Sequence, residues 1–242
     1  IDLSFASEYI GDNATATYNG VILGHGALNG GKLTVDLTQI GKTGELAFDI
    51  VSKKGGVYYK FDYNVLLATK IIRNVADLDV LRFKAVNVSI DGYYVLGADI
   101  DMRKAKLSQN LAGQPGYWEG GFGFRGIFDG QNHTISDFTA GETGLFGHIG
   151  KGAIIKDVNF AKVSCNNDYL SAVLARTIVG AELSNINIEV IGFTGTSRDN
   201  GILASRYIDG STIKNVKIDA SACVVYSLFG NTTGDKTGNT YS

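Results

Sequence analysis

Ile155-Lys156-Asp157-Val158-Asn159-Phe160, Leu183-Ser184-Asn185-Ile186-Asn187-Ile188 and Ile213-Lys214-Asn215-Val216-Lys217-Ile218 are three versions of one hexapeptide. Each reads apolar, polar, Asn or Asp, apolar, polar, apolar, and a truncated copy, Ile135-Ser136-Asp137-Phe138, comes before them. A second element accompanies the first, a small residue, two apolar residues and a small residue: Gly144-Leu145-Phe146-Gly147, Ala172-Val173-Leu174-Ala175, Gly201-Ile202-Leu203-Ala204 and Ser227-Leu228-Phe229-Gly230. These tetrapeptides end at 147, 175, 204 and 230, at intervals of 28, 29 and 26. Two linked motifs at one period define a repeat, and a fixed period of this size is the signature of a solenoid.

A repeat this short cannot bury its own apolar face. Stacked coils can, because each strand pairs in parallel with its copy about 4.8 Å above and the apolar positions merge into one interior. Ile155, Leu183 and Ile213 are therefore expected to be vertical neighbours. The small residues mark corners, and Asn185 and Asn215, with Asp157 below them, are expected to stack at one bend and bond the local backbone. Cys165 lies ten residues after Ile155 and Cys223 ten after Ile213. Equivalent positions two coils apart lie about 10 Å from each other, beyond the ~7 Å reach of a disulfide, so two free thiols are expected.

Ahead of the repeats the pattern changes twice. Residues 1 to 69 alternate with period two: Leu33, Val35 and Leu37 share one face, as do Leu46, Phe48 and Ile50, and then Val57, Tyr59, Phe61 and Tyr63. Turn clusters such as Asn29-Gly30-Gly31 and Lys53-Lys54-Gly55-Gly56 separate them. This predicts a small immunoglobulin-like β-sandwich over 1–69. Residues 70–119 predict a capping segment. Asn74 is placed to cap a short helix carrying Asp77, Val75, Leu78, Leu81 and Arg82, followed by a strand over Tyr93 to Met102. A helix across the open end of a solenoid would cover its unpaired edges. The overall prediction is all-β: a right-handed parallel β-helix over 120–242 with a short helical N-terminal cap, preceded by the sandwich.

Composition agrees with this. The 242 residues are 44% hydrophobic and 19% charged, with 32 Gly and one Pro, as expected for many short strands joined by tight turns. A net charge of −2 without a basic cluster argues against a nucleic-acid partner. No apolar run approaches the ~20 residues of a membrane-spanning helix, so no membrane insertion is expected. Both ends of the chain, at Ile1 and Ser242, read as cuts in a longer or processed protein.

The order of motifs also carries a family resemblance. Gly92-Tyr93-Tyr94-Val95-Leu96 with Asp99-Ile100-Asp101, then Gly126-Ile127-Phe128-Asp129-Gly130-Gln131-Asn132-His133-Thr134-Ile135, then Gly144-Leu145-Phe146-Gly147 resembles the GLUG-motif β-helices of bacterial surface proteins. That group includes adhesins, filamentous-haemagglutinin-like proteins and non-catalytic parts of some secreted peptidases. Ala172, Ala175, Ala204 and Ser227 depart from it by replacing Gly. The resemblance implies a β-helix and a secreted or cell-surface location. It implies no single activity and carries over no catalytic residues.

Four constellations bear on chemistry. Asp99 and Asp101, two apart on a strand, share a face and suit acid–base work on a glycan or a hard cation, against a plain solvated pair. His133 oriented by Asp129 would make a base, against a corner in which Asp129 bonds backbone N–H groups. His25, His133 and His148 have no metal-ligand spacing. Tyr117, Trp118, Phe122 and Phe124 form the densest aromatic cluster, suited to stacking on a sugar or filling a partner's pocket, against a plug over the first coil. The sequons at Asn13, Asn87, Asn132 and Asn231 are expected to stay unmodified.

The expected function is therefore a non-catalytic extracellular structural or binding module of a bacterial surface, adhesin-like protein, with a glycan or a partner surface protein as ligand. No catalytic residue, metal or cofactor is expected. The alternatives are a phage virion, tail or filament component and a glycan-active β-helix enzyme. The enzyme would need acidic and basic side chains converging on one outer face.

Overall fold

Parallel strands pair in register when one pattern recurs at a constant interval, and the hexapeptides do so. In the computed structural model, which describes residues 2–5, 13–28, 30–37, 44–54, 57–81, 90–103, 123–140, 144–165, 171–193, 201–223 and 240–242, Ile155 pairs with Leu183 and Leu183 with Ile213. The copy Ser227-Leu228-Phe229-Gly230 lies outside the described residues. The chain divides into two units, Ile1–Ala68 and Thr69–Ser242.

The first unit is antiparallel. It comprises β1 (Asp2–Ser4), β2 (Asn13–Tyr18), β3 (Val21–Ala27), β4 (Lys32–Thr34), β5 (Gly44–Lys54) and β6 (Val57–Leu67). A four-stranded sheet runs in the order β3-β2-β5-β6, and β1 pairs with β4. Alternation places Ala14, Ala16, Leu23 and Ile50 in a core with Leu3, Leu28, Leu33 and Val35. Leu37 packs against that core, as its spacing from Leu33 and Val35 predicts. Val57, the first of the residues expected to share a face with Tyr59, Phe61 and Tyr63, is 55% exposed, and the side chains of those three lie outside the described residues. Val57 sits at the strand's first position, opposite Lys54.

The second unit is a parallel β-solenoid of about four turns. Its strands are β7 (Lys70–Ile72), β8 (Tyr93–Leu96), β9 (Ile100–Asp101), β10 (Ile127–Asp129), β11 (Thr134–Ser136), β12 (Thr139–Ala140), β13 (His148–Ile149), β14 (Ile154–Cys165), β15 (Ala175–Val179), β16 (Glu182–Phe193), β17 (Ala204–Asp209), β18 (Thr212–Asp219) and β19 (Thr240–Tyr241). The principal sheet stacks β7, β8, β10, β14, β16, β18 and β19, and a second stacks β13, β15 and β17. Parallel pairing thus begins at Lys70, well before residue 120. The early coils are hard to see in the sequence because insertions between strands spoil the period.

Three ladders fill the interior. One runs Tyr94, Phe128, Ile155, Leu183, Ile213. Another runs Ile100, Ile135, Phe160, Ile188, Ile218. The third runs Phe124, Ile149, Ile178, Ile208. Nearly all these side chains belong to one continuous buried cluster. The lower coils add ring contacts, Phe124 to Phe146 at 5.0 Å and Phe128 to Phe146 at 5.2 Å between centroids. Both cysteines are free thiols, and burial, with Cys223 adding to it, pushes the Cys165 thiol up to about 12.

The Asn and Asp of the hexapeptide turn each coil. Asp157, Asn185 and Asn215 have φ of 53°, 53° and 48°, the left-handed region that Asn and Asp tolerate better than other side-chain-bearing residues. One such residue breaks the strict alternation, so Ile155 and Val158 both face inward, as do Leu183 and Ile186. The three side chains do stack, but they bond one another rather than the local backbone. Asn215 Nδ2 donates to Asn185 Oδ1 at 2.9 Å, and Asn185 Nδ2 to Asp157 Oδ1 at 2.7 Å. A parallel amide pair forms beside them, Asn187 Nδ2 to Asn159 Oδ1 at 2.7 Å. Where the register of β14 and β16 shifts after Phe160, Lys162 has a φ of 52° and its N–H bonds the Glu189 carboxylate at 3.1 Å. A side chain there satisfies a donor that a bulge takes out of the ladder.

The expected helix is a 3-10 helix at Asp77–Leu81. Asn74 Oδ1 accepts from the Asp77 N–H at 3.0 Å, and Leu78 and Leu81 are fully buried with Ile72 and Leu96. The strand expected over Tyr93 to Met102 is two short strands, β8 and β9, separated by Gly97-Ala98-Asp99.

The small-residue corners are needed for close approach. Leu145 N–H bonds Val173 O at 3.0 Å, Phe146 N–H bonds Leu174 O at 2.8 Å, and Val173 N–H bonds Ile202 O at 2.8 Å. Gly144, at φ +61°, leaves no room for a Cβ, which would lie 2.5 Å from the Leu174 carbonyl carbon. Gly210 has a similar φ of +56° but open space around it. Gly144→Ala should therefore cost about 3 kcal/mol, strain plus overlap, and Gly210→Ala only about 1 kcal/mol of strain. Urea unfolding checks this: the Gly144 variant should show the far larger drop in midpoint at unchanged slope.

Candidate functional site

The polar side chains with the most extensive partnerships lie on the outer side of the first coils. Phe128 and Ile155 face inward, so their successors Asp129 and Lys156, which pair in register, face the other way. Asp129 is nevertheless fully buried. Its Oδ2 accepts from Tyr93 Oη at 2.6 Å and lies 2.8 Å from Lys156 Nζ, while Oδ1 accepts from the Gln131 N–H at 3.0 Å. Burial pushes this carboxyl up, but Lys156, Tyr93 and the Gln131 N–H more than offset it, so its pKa is below the ordinary value. Lys156 also approaches Asp157 Oδ2 at 3.7 Å. Three successive coils thus converge on one carboxylate.

This arrangement decides between the two readings of Asp129. It holds the corner through the Gln131 N–H and does not orient His133. His133 Nδ1 instead meets Asp99 Oδ1 at 3.1 Å, and the Thr134 N–H bonds that same oxygen at 2.9 Å. Those two contacts, the Thr134 N–H foremost, hold Asp99 below the usual carboxylate range. An imidazole backed by a carboxylate has the layout of a general base, yet this pair lies on open surface, with the Asp99 side chain 73% exposed.

Asp99 and Asp101 do not act together. Asp101 is forked by Arg103, whose Nε lies 3.0 Å from both carboxylate oxygens, and the Arg103 N–H also bonds it at 3.0 Å. Asp137 lies 3.9 Å from the same Nε. The pair read as one candidate face is thus two separate contacts, one reaching up to the next coil and one folding back on its own.

Of the aromatic cluster, Tyr117, Trp118 and Phe122 lie outside the described residues. Phe124 is 1% exposed and packs between Tyr94 and Phe146; a ring so placed offers no face to a ligand. Sequence reasoning missed Tyr93 and Lys156. The available signal was that Lys156 stands one residue before the repeated Asp or Asn, where Ser184 and Lys214 stand in the later copies.

The family model described as M26 IgA1-specific metallo-endopeptidase N-terminal region matches residues 73–192. No curated protein and no solved structure matches the chain. A metallo-endopeptidase implies a metal, and the described residues do not fit one. His25 bonds Thr15 at 2.6 Å, His133 meets Asp99, and His148 bonds Thr177. Among the described residues no group of three or more His, Cys, Asp or Glu side chains is arranged to hold an ion.

Two predictions follow from the electrostatics. Asp129→Ala removes the buried acceptor shared by Lys156 and the Tyr93 hydroxyl and should cost about 3 kcal/mol, whereas Asp99→Ala, at an exposed contact, should cost under about 1 kcal/mol. Chemical denaturation of both variants checks the ranking. His148 is partly buried, and desolvation, with Arg125 nearby, lowers its pKa from 6.5. The unfolded chain therefore takes up this proton first, so stability is full above about pH 6.5 and declines as pH falls below it. The depressed carboxyl of Asp129 adds a second loss, beginning below about pH 4. Unfolding midpoints between pH 7 and 5 should fall for the native chain and stay flatter for His148→Gln.

Proposed function

We propose that this chain is a non-catalytic extracellular module of a bacterial surface, adhesin-like protein, or of the N-terminal region of a secreted peptidase. In this reading the solenoid is a rigid right-handed spacer of the GLUG kind, the 3-10 turn at Asp77–Leu81 helps to cover its first coil, and the antiparallel unit is an immunoglobulin-like partner domain. One observation carries it. Asp99, Asp101, Asp129 and His133, the side chains best suited to chemistry, are each tied into contacts that join coils or close corners.

The family match supports the same reading, because it falls on a region named as N-terminal to a peptidase. What such a module contributes is a stiff surface that presents a ligand-binding loop. The sequence offers Tyr117 and Trp118 for that role, with a glycan or a host glycoprotein as ligand.

The test is a binding array of glycans and host proteins, immunoglobulin A1 included, probed with the intact chain and with Trp118→Ala and Tyr117→Ala. The expected result is binding to a restricted set of ligands, weakened about tenfold or more by the Trp118 change, with immunoglobulin A1 left uncleaved. Equal binding by both variants would dismiss the aromatic loop, and cleavage would dismiss the non-catalytic reading.

A further inference from the structure

In the register column Ile71, Val95, Asp129, Lys156, Ser184, Lys214, an acid and an amine are neighbours at one place, Asp129 and Lys156. Lys156 Nζ lies 2.8 Å from Asp129 Oδ2, with the aspartate side chain fully buried and the lysine side chain 28% exposed. A second carboxylate oxygen, Asp157 Oδ2, lies 3.7 Å from the same Nζ. Asp129 Oδ1 accepts from the Gln131 N–H at 3.0 Å, and Tyr93 Oη donates to Oδ2 at 2.6 Å. An ion pair does not require a second carboxylate or a donor on each oxygen. A condensation uses them all: an amine against a carboxyl, an acceptor for the amine's proton, and donors for the oxyanion and the leaving oxygen.

We propose that Lys156 and Asp129 condense to an amide that cross-links β14 to β10, with Asp157 as the proton acceptor. The lone pair of Lys156 Nζ attacks Asp129 Cγ, so that the N–C bond forms and the Cγ–Oδ2 bond breaks. The negative charge that develops on Oδ1 meets the Gln131 N–H, and Tyr93 Oη supports Oδ2 as it departs. One ammonium proton passes to Oδ2 along the existing contact. A second goes to Asp157 and from there to the same oxygen, which leaves as water. The third stays on the amide nitrogen. Nothing is oxidised or reduced, and no other reactant is needed.

Ammonium with carboxylate and amine with acid hold the same protons, so the reactive pair forms when one proton moves between partners. Burial opposes the charged carboxyl, but Lys156, Tyr93 and Gln131 outweigh it. The ion pair therefore predominates and the condensation is slow. Two features drive it forward. The carboxyl is shielded from water, which disfavours hydrolysis of the product, and groups held in reacting contact reach effective concentrations of about 10⁵ M or more. Asp129-Gly130 has a second route to losing water, attack of the Gly130 nitrogen on the same carbon. That nitrogen donates to Lys156 O at 2.9 Å, and the bond between coils holds it away.

The experiment is intact-mass spectrometry on the full chain, freshly made and then held folded at neutral pH, for the native sequence, Lys156→Arg and Asp157→Asn. Native chain should convert with time to a species lighter by one water, and its protease digest should contain a branched peptide joining Asp129 to Lys156. Lys156→Arg keeps a cation beside Asp129 and should stay at full mass. Asp157→Asn places at this bend the residue that the next two coils carry there, so the corner is kept while the proton acceptor is lost. Cross-linking in it should slow by about a hundredfold. A native chain that remains at full mass overturns the proposal. So does a lighter species with an unbranched digest, which is the Asp129-Gly130 succinimide, or cross-linking of Asp157→Asn at the native rate.

Discussion

Parallel in-register pairing is the constraint on which the rest of the solenoid depends. It sets each repeat position on its own copy at about 4.8 Å, so every position must tolerate itself as a neighbour. Apolar residues do this at no cost, hence the ladders of Ile, Leu, Val and Phe. Amides do it because each can donate downward and accept from above, and Asn185 and Asn215 stack in that way on Asp157. Identical charges cannot. Along the lysine column Ser184 separates Lys156 from Lys214. Glu189 and Asp219 do fall in register, but one turns to the Lys162 N–H and the other to the Ser221 N–H.

The lower coils handle the same constraint differently. Tyr93, Asp129 and Lys156 come from three successive coils, and their contact is one of unlike groups across neighbouring strands. A buried carboxylate is costly alone and acceptable when a cation and two donors surround it. This cluster forms where the repeat is still irregular, with insertions between β8 and β10 and aromatic rather than aliphatic packing inside. Its specific polar contacts hold register where the repeated pattern alone would hold it weakly.

This also explains what could be read in advance. The pairing of Ile155, Leu183 and Ile213, the left-handed bend at Asp157, Asn185 and Asn215, and the capping of Asp77 by Asn74 all depend on spacing or on residue type. They were legible. The corner in which Asp129 bonds a backbone N–H was legible too, whereas the partners that Asp129 and His133 find in other coils were not, because spacing along the chain says nothing of them. The side-chain bonds of the Asn stack went astray for the same reason, because local Asx habits were assumed where the neighbour above was nearer. The pairing of β7, β8 and β10 was hidden because Lys70-Ile71-Ile72, Tyr93-Tyr94-Val95 and Ile127-Phe128-Asp129 share shape in space but little in letters. Ring burial at Phe124 could not be judged from a cluster defined only by nearness along the sequence.

The amide stack on Asp157 has a direction. Every Nδ2 in it points toward the N-terminal end, and a carboxylate, which can only accept, closes the row below. A further coil therefore fits without altering those beneath: it needs an Asn at the bend and an aliphatic residue two places before it. Each added rung would raise the height by about 4.8 Å with an unchanged cross-section. Reach is thus a matter of the number of coils, set without redesigning the interior.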